Sequence, residues 1–253
     1  MGVFVEKKER LMAIRWSRPP LNVLDITLLR ELQNELEQCA RDVSLDVVIL
    51  QGAGGRAFSA GVDVRDHTTE KVPEMLEVVH GVVRQLLALP QATIAVVQGA
   101  CLGGGCELAS SCDLIVASEG SSFATPEIQV GCYPPVALAR FASLVGYHRA
   151  AEMILTGRRF SAREAQSVGL VNRVVADEDL EDAVAQLANE LLTQSGAVLK
   201  LTLKGLRELS LRGFNEALKR AEDIYLVELL KTRDVEEGVR AFLEKRPPNW
   251  QHR

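Results

Sequence analysis

Three short apolar runs constrain the fold of this chain more than any other feature. Val47–Leu50, Thr93–Val97 and Leu114–Ala117 are each of strand length and almost wholly apolar, which is typical of strands buried on both faces of a sheet. Glycine-rich turns follow the first two, at Gly52–Gly55 and from Gly99 onward. Because helical patterns separate these runs, the chain is predicted to be α/β.

The helical patterns are clearest on either side of the first strand run. Apolar residues recur at helical spacing from Asp25 to Cys39 and from Lys71 to Leu89, where Pro90 ends the pattern. Two further strands are predicted between Val3 and Trp16. After Glu127 the chain is predicted to be almost wholly helical, with a capping box at Ser161–Glu164 that opens one helix.

Length and composition exclude several classes of protein. A chain of 253 residues predicts one large domain, or one domain with an appendage. A net charge of −5 without a long basic run disfavours nucleic-acid binding, and no apolar run approaches the ~20 residues that span a bilayer. Five cysteines without a zinc-type spacing, and no signal peptide, indicate reduced thiols in a cytoplasmic protein. Four histidines without HxxxH spacing make a metal site unexpected.

Two glutamates lie in settings that favour chemistry over solvation. Glu107 follows a glycine run and Glu127 follows Pro126, and the flanks of both are apolar or small. A carboxyl group in such a setting has a raised pKa and can hold or give a proton near neutral pH. Most glutamates on helices are simply solvated, but Glu107 has few polar neighbours in sequence.

The run Gly103–Gly105 has two interpretations. It could be a tight turn that needs small residues, or an anion site in which bare backbone N–H groups face a ligand. It is not GxGxxG, so a dinucleotide site is disfavoured. Phe58–Val64 forms a second loop of small residues after a buried strand. Two such loops could each supply one N–H to a single oxygen, beside the two carboxyl groups.

These segments, taken in order and spacing, resemble the enoyl-CoA hydratase/isomerase (crotonase) family from about Arg18 to Arg246. The matching motifs are Phe58–Asp63, Gly99–Ala109, Cys112-Asp113, Phe123–Glu127, Leu155–Gly157 and Ala162–Val171. The resemblance implies a spiral of ββα units over residues 1–190, and a helical region over residues 191–253 that forms trimers, which commonly pair into hexamers. It also implies that the substrate is an acyl-CoA thioester and that coenzyme A enters only as part of that substrate.

The resemblance also assigns roles to residues of this chain. The thioester oxygen would accept hydrogen bonds from the backbone N–H groups of Val62 and Gly104. The loop Ala60–Arg65 would line the adenine and pantetheine. The residues of this loop that are predicted to contact the substrate are Ala60, Val62, Asp63, Val64 and Arg65. Glu107 and Glu127 would hold and activate one water, with the acid and the base unassigned. Family isomerases often keep only one of these glutamates, so the pair favours a hydratase.

One segment departs from the pattern of family hydratases. Where these have a glycine-rich stretch after the second glutamate, this chain has Gly131–Leu138, which includes Tyr133, Pro134 and Pro135. Tyr133 and Pro134 are therefore candidates for the wall of the acyl pocket. Together with Arg18–Asp25 and Ala60–His67, this segment is similar to hydratases that act on cyclohexa-1,5-diene-1-carbonyl-CoA in anaerobic aromatic degradation, rather than on the short linear chains of fatty acid metabolism.

The predicted function is therefore that of a lyase that adds water to a conjugated acyl-CoA, with a cyclic dienoyl-CoA as substrate. Two alternatives remain open, a double-bond isomerase and a non-catalytic or RNA-binding protein of the same fold. The helices after about Leu180 carry no site motif, and an apolar stripe within them is predicted to form subunit contacts. Its members are Phe214, Leu218, Ala221 and Tyr225.

Overall fold

The computed structural model describes residues 1–252 and arranges them as an α/β fold of ten strands and ten α-helices. The strands are β1 (Gly2–Lys8), β2 (Leu11–Ser17), β3 (Val47–Gly52), β4 (Ala57–Ser59), β5 (Ala92–Val97), β6 (Ala100–Leu102), β7 (Leu114–Ser118), β8 (Ser122–Ala124), β9 (Phe160–Ser161) and β10 (Arg173–Val175). The helices are α1 (Ile26–Arg41), α2 (Val72–Ala88), α3 (Gly104–Ser110), α4 (Pro135–Val145), α5 (Tyr147–Thr156), α6 (Ala162–Ser167), α7 (Leu180–Leu192), α8 (Gly196–Ser210), α9 (Phe214–Val227) and α10 (Arg233–Leu243).

The larger sheet contains the three apolar runs that the sequence pattern identifies as strands. Its order is β1-β2-β3-β5-β7-β10, and its neighbours run parallel except for the antiparallel pair β1 and β2. β3, β5 and β7 occupy inner positions, and most of their side chains are buried. The prediction of these strands, and of the two strands before Trp16, is confirmed.

The smaller sheet explains why the glycine-rich turns follow the long strands. Its order is β4-β6-β8-β9, and β4, β6 and β8 run parallel to one another. Each turn of the chain places a long strand in the larger sheet, a short strand in the smaller sheet, and then a helix, as in β3-β4-α2 and β5-β6-α3. Repetition of this unit is the predicted spiral of ββα units.

Three apolar cores hold the layers together, and two of them cover the faces of the larger sheet. The larger core includes Trp16 and Phe58, whose rings meet edge to face at 4.8 Å, and the Trp16 indole N–H donates to the Phe58 carbonyl at 3.0 Å. The second core lies between the outer face of the larger sheet and α7, where Val116 packs near Leu180 and Leu187. Both faces of the inner strands are thus covered, which is why those strands are apolar throughout.

The second half of the chain, predicted to be almost wholly helical, also contains two short strands, β9 in the smaller sheet and β10 in the larger one. β10 adds a sixth strand to the larger sheet, pairing in parallel with β7 through Arg173–Val175. Three residues are too short to produce a periodic signal, so only the pairing with β7 reveals this strand. The predicted capping box at Ser161 is confirmed, with Ser161 and Glu164 hydrogen-bonding each other's backbone N–H groups.

The apolar stripe predicted to form subunit contacts is buried inside the chain itself. Phe214 and Leu218 pack against Val83 and Val136, and Tyr225 belongs to the larger core. Its remaining member, Ala221, is also buried. That residue-level prediction was therefore wrong, because the helical spacing identified an apolar face but not the surface that covers it. The side chains that α8 exposes are different ones, Val198, Leu201, Leu206 and Leu209.

Candidate active site

One cavity of about 460 Å³ lies where the smaller sheet meets the helices. Its wall is built from the loop after β4, the turn between β6 and α3, one face of α2, the segment after β8, and parts of α9 and α10. Among the residues predicted for the site, Ala60, Val62, Val64, Gly104, Glu107, Glu127, Tyr133 and Pro134 line this cavity. The spiral therefore brings together residues that are more than seventy positions apart in the chain.

The loop after β4 and the start of α3 lie in direct contact. A Cβ added to Gly104 would lie 2.6 Å from Cγ2 of Val62 and 3.7 Å from its backbone nitrogen. A Cβ on Gly61 would lie 3.1 Å from the Leu102 carbonyl oxygen. Only residues without side chains allow this approach, so the glycine run is explained by more than a tight turn.

Two backbone N–H groups remain free where these loops meet. Leu24 pairs with the loop on either side of Val62, through bonds from its N–H to Gly61 and from the Asp63 N–H to its carbonyl. Within residues 1–252, the N–H groups of Val62 and Gly104 donate to no protein atom. Both residues line the cavity, so the two donors lie beside any ligand there.

Glu107 lies on α3 and is almost fully buried, with 3% of its surface exposed. Its Oε1 accepts a hydrogen bond of 2.9 Å from the N–H of Ala137, one of the unpaired donors in the first turn of α4. Burial raises the pKa of Glu107, while N–H donation from Ala137 and the charge of His80 act in the opposite direction. The carboxyl group is thus held in one orientation by a helix end.

Glu127 lies in a 3₁₀ turn over Pro126–Val130, across the cavity wall from the glycine run. Burial, and after it the charge of Glu107, raise the pKa of Glu127 to about 8. Its Oε2 is buried and has no hydrogen-bond partner among the described residues. A Cβ on Gly103, whose φ is +53°, would lie 2.5 Å from Oε1 of Glu127. This glycine therefore makes the room that the second carboxyl group occupies.

Two of the predicted substrate contacts lie outside the cavity wall. Asp63 and Arg65 form an ion pair of 2.6 Å, and Asp63 also binds Arg18 at 3.2 Å. The hydrogen bond from Arg65, despite partial burial, lowers the pKa of Asp63 to about 2. The Asp63 carboxylate is therefore used to tie the loop after β4 to the segment before α1.

Tyr133 and Pro134 close the cavity at the start of α4. The Tyr133 ring meets the ring of Tyr225 edge to face at 5.1 Å, and its hydroxyl donates to the Ala221 carbonyl at 2.7 Å. Because that hydroxyl is already bonded, Tyr133 contributes an apolar wall. Pro134 precedes α4 and Pro135 is its first residue, so the chain here is stiff.

Reasoning from the sequence missed six polar residues of the cavity wall, namely His67, His80, Gln129, Arg159, Tyr225 and Arg246, and two of these are buried. His80 projects from α2 and Tyr225 from α9, and both are buried. Nε2 of His80 and the hydroxyl of Tyr225 have no partner within the described chain. A signal for His80 did exist, because it is a polar residue at a position of the α2 pattern that packs inward. For Tyr225 the helical spacing indicated burial but not a cavity.

Comparisons with known proteins identify the family of the chain. A family model described as enoyl-CoA hydratase/isomerase matches residues 6–253. The chain belongs to the enoyl-CoA hydratase/isomerase family. The resemblance drawn from the motifs, and the enzyme class that it implies, are thereby confirmed, as is the crotonase-type fold.

Individual relatives of this family cover the whole chain. A cyclohexa-1,5-dienecarbonyl-CoA hydratase of Thauera aromatica is 32% identical over 254 residues, covering 100% of this chain and 97% of that protein. A 2,3-dehydroadipyl-CoA hydratase of Escherichia coli K12 is also 32% identical, covering 99% of each. A crystal structure of an enoyl-CoA hydratase from Mycobacterium avium subsp. paratuberculosis K-10 superposes with a TM-score of 0.90 at 31% identity, covering 99% of each chain.

Two negative findings apply to the described part of the chain. Residues 1–252 contain no cluster of three or more His, Cys, Asp or Glu side chains suited to a metal ion. No helix in this range is both long and apolar enough to cross a bilayer.

Proposed function

We propose that this enzyme adds water to the conjugated double bond of an acyl-CoA thioester, and that its preferred acyl group is a cyclic diene. The observation that carries the proposal is the meeting of two buried carboxyl groups and two free backbone N–H groups around one cavity. A hydratase needs a base for water, an acid for carbon and donors for the enolate oxygen, and this cavity has a candidate for each.

In the proposed mechanism, the thioester carbonyl accepts hydrogen bonds from the N–H groups of Val62 and Gly104. These donors stabilise the enolate that forms as water adds, and loss of one such donor typically costs about 3 kcal/mol in the transition state. Ala60 and Val64 line the same cavity from the loop after β4 and would contact the coenzyme A part of the substrate. Asp63 and Arg65 would act there indirectly, by fixing the loop.

The surroundings of the two glutamates support different roles for them. Glu107 accepts an N–H bond from Ala137, which favours its ionised form, so it would take the proton from water. Glu127 has a pKa raised to about 8 and one oxygen without a donor, so it would carry the proton that goes to carbon. In the proposed resting state Glu107 is ionised and Glu127 is protonated, so the two carboxyl groups together carry one proton at neutral pH.

The acyl group is the finer part of the proposal. Tyr133 and two successive prolines give the cavity a flat and rigid wall, which suits a ring better than a flexible chain. The Thauera relative is named for a cyclic dienoyl-CoA. The Escherichia coli relative, which has the same 32% identity to this chain, is named for 2,3-dehydroadipyl-CoA, a linear substrate. For a conjugated diene, the proton would reach the far carbon of the system in a 1,4-addition.

A spectrophotometric comparison of acyl-CoA substrates tests this proposal. We expect kcat/KM for cyclohexa-1,5-diene-1-carbonyl-CoA to exceed that for crotonyl-CoA by at least ~100-fold, or roughly 2.7 kcal/mol of transition-state discrimination. Equal or faster turnover of crotonyl-CoA would remove the ring preference and leave a hydratase of linear substrates. Oxygen from labelled water should appear in the product. A product that lacks the label would identify an isomerase instead.

We also propose that the enzyme assembles as a homo-oligomer, a trimer or hexamer, through its C-terminal helices (residues 191–253), and that it works in the cytoplasm. The exposed apolar side chains of α8 support the first point, since four of them on one helix are 61–69% exposed. The five cysteines, all free, suit a reducing compartment.

A further inference from the structure

A buried histidine in the wall of the cavity has one ring nitrogen bound to a carboxylate and the other without a partner. His80 is completely buried, and its Nδ1 is 2.7 Å from Oε1 of Glu222 on α9. Its other ring nitrogen, Nε2, is buried and has no partner within residues 1–252. His80 and Glu107 line the same cavity, from helices α2 and α3, which pack against each other.

Glu222 binds one ring nitrogen of His80 and leaves the other without a partner. Its carboxylate is also bound by Arg84 at 2.8 Å, and the hydrogen bond from His80 is the largest cause that lowers the pKa of Glu222 to about 2. An ionised Glu222 accepts a hydrogen bond from the Nδ1–H of His80, so the unpartnered Nε2 is the nitrogen left to exchange a proton. This carboxylate–imidazole arrangement orients bases in other enzymes.

A purely structural role accounts poorly for His80. A buried histidine that only fills space would have both nitrogens bonded or would be replaced by an apolar residue, since an unpaired buried polar group costs about 1–3 kcal/mol. The other ionisable groups around the cavity are the carboxyl groups of Glu107 and Glu127, the hydroxyls of Tyr133 and Tyr225, and the side chains of His67, Arg159 and Arg246. Of these, Glu107 is the one whose pKa responds to His80.

We propose that His80, oriented by Glu222, is a positioning residue that shares a proton with Glu107 and keeps Glu107 ready to act as the base. The inference rests on the proposed hydration. In that reaction one O–H bond of water breaks, its oxygen bonds to carbon, and its proton goes to Glu107, while Glu127 gives its own proton to carbon. The proton on Glu107 can then pass to Nε2 of His80, where Glu222 offsets the positive charge.

The first test measures the coupling without any turnover. Nuclear magnetic resonance of histidine-labelled protein follows the titration of the four histidines, and His80→Gln assigns the signal of His80. We expect the titration midpoint of His80 to fall by at least about half a pH unit in Glu107→Gln, because coupling between two sites is reciprocal. The exposed His148 is the internal control. An unchanged His80 midpoint, or a His80 that titrates in neither protein between pH 5 and 9, would overturn the proposal.

The second test uses the pH profile of kcat/KM with the best acyl-CoA substrate. If His80 favours ionised Glu107, then His80→Gln and Glu222→Gln both move the acid limb of the profile to higher pH, by about one unit, and His148→Gln does not. A merely structural role would lower stability and activity without moving the limb, and that result would overturn the proposal. A wild-type protein that hydrates no acyl-CoA, but whose His80 still responds to Glu107→Gln, would refute the hydratase function while the proton-sharing pair stands.

Discussion

At the residue scale, the two glutamates differ in environment although they share one cavity. Glu107 is held by a helix N-terminus, whereas Glu127 keeps one oxygen unpaired. Evolution tends to remove unpaired buried carboxyl groups unless they have a use, because they reduce stability. The difference leads to two predictions, one on activity and one on stability.

Replacing either glutamate should abolish most of the activity. We expect Glu107→Gln and Glu127→Gln each to lower kcat by roughly 10³-fold, which is within the contribution of a positioned acid or base. Circular dichroism should show an unchanged fold. Glu178→Gln, at an exposed position, is the matched control and should keep full activity. A variant at position 107 or 127 with near wild-type kcat would exclude that residue from the mechanism.

The stability of the protein should depend on Glu127 in a defined pH range. The native pKa of about 8 lies above the ordinary value of 4.5, so the native state binds this proton more tightly than the unfolded chain does. The contribution of the Glu127 carboxyl group to the free energy of unfolding is therefore fully present below pH 4.5, and it is lost as the pH rises towards 8. Glu127→Gln should raise the free energy of unfolding at pH 8 by roughly 1–5 kcal/mol, seen as a higher Tm, and should raise it much less at pH 5. Equal effects at both pH values would contradict a raised pKa.

At the scale of structural elements, the contact between the loop after β4 and the start of α3 defines the site. A side chain at any of three glycines would collide with a different group. At Gly61 this is the Leu102 carbonyl, at Gly103 the Glu127 carboxyl group, and at Gly104 the Val62 side chain. The two free N–H groups depend on this contact, since either loop alone presents only one donor. A small shift of one loop should therefore reduce catalysis more than folding.

Gly104→Ala tests this contact. The added methyl group would lie 2.6 Å from Cγ2 of Val62, so the two loops must separate and one N–H donor moves away. We expect kcat to fall by about 10²–10³-fold, as for loss of one oxyanion donor, with a smaller change in KM. Gly120→Ala, at an exposed turn where Cβ would meet only the flexible side chain of Asp177, is the control. Undiminished kcat in Gly104→Ala would argue against the proposed role of these N–H groups.

At the scale of the whole molecule, the apolar residues of the C-terminal region divide into two sets. The stripe on α9 is used inside the chain, while α8 leaves Leu201 and Leu209 exposed. A monomeric protein rarely exposes several large apolar side chains on one helix face. The exposed set is therefore the better candidate for the contact between copies of the chain.

Charged residues on α8 should disrupt the assembly. We expect the full chain to sediment as a trimer or hexamer, and the double variant Leu201→Glu/Leu209→Glu to shift to smaller species. Tyr147→Glu changes an exposed apolar residue at the start of α5 and should leave the sedimentation coefficient unchanged. A wild-type chain that sediments as a monomer would refute the proposed oligomer, and an unchanged double variant would move the contact to another surface.

The sequence by itself determined the α/β class, the inner strands with their glycine-rich turns, and the two glutamates with flanks unsuited to solvation. These depend on local periodicity and on the chemistry of near neighbours, both of which are visible along the chain. Only the tertiary structure decided that Asp63 and Arg65 tie a loop instead of lining the cavity, that the α9 stripe faces inward, and that His80 meets Glu222 142 positions away. A periodic pattern specifies which face of a helix is apolar, but what covers that face depends on how distant segments pack.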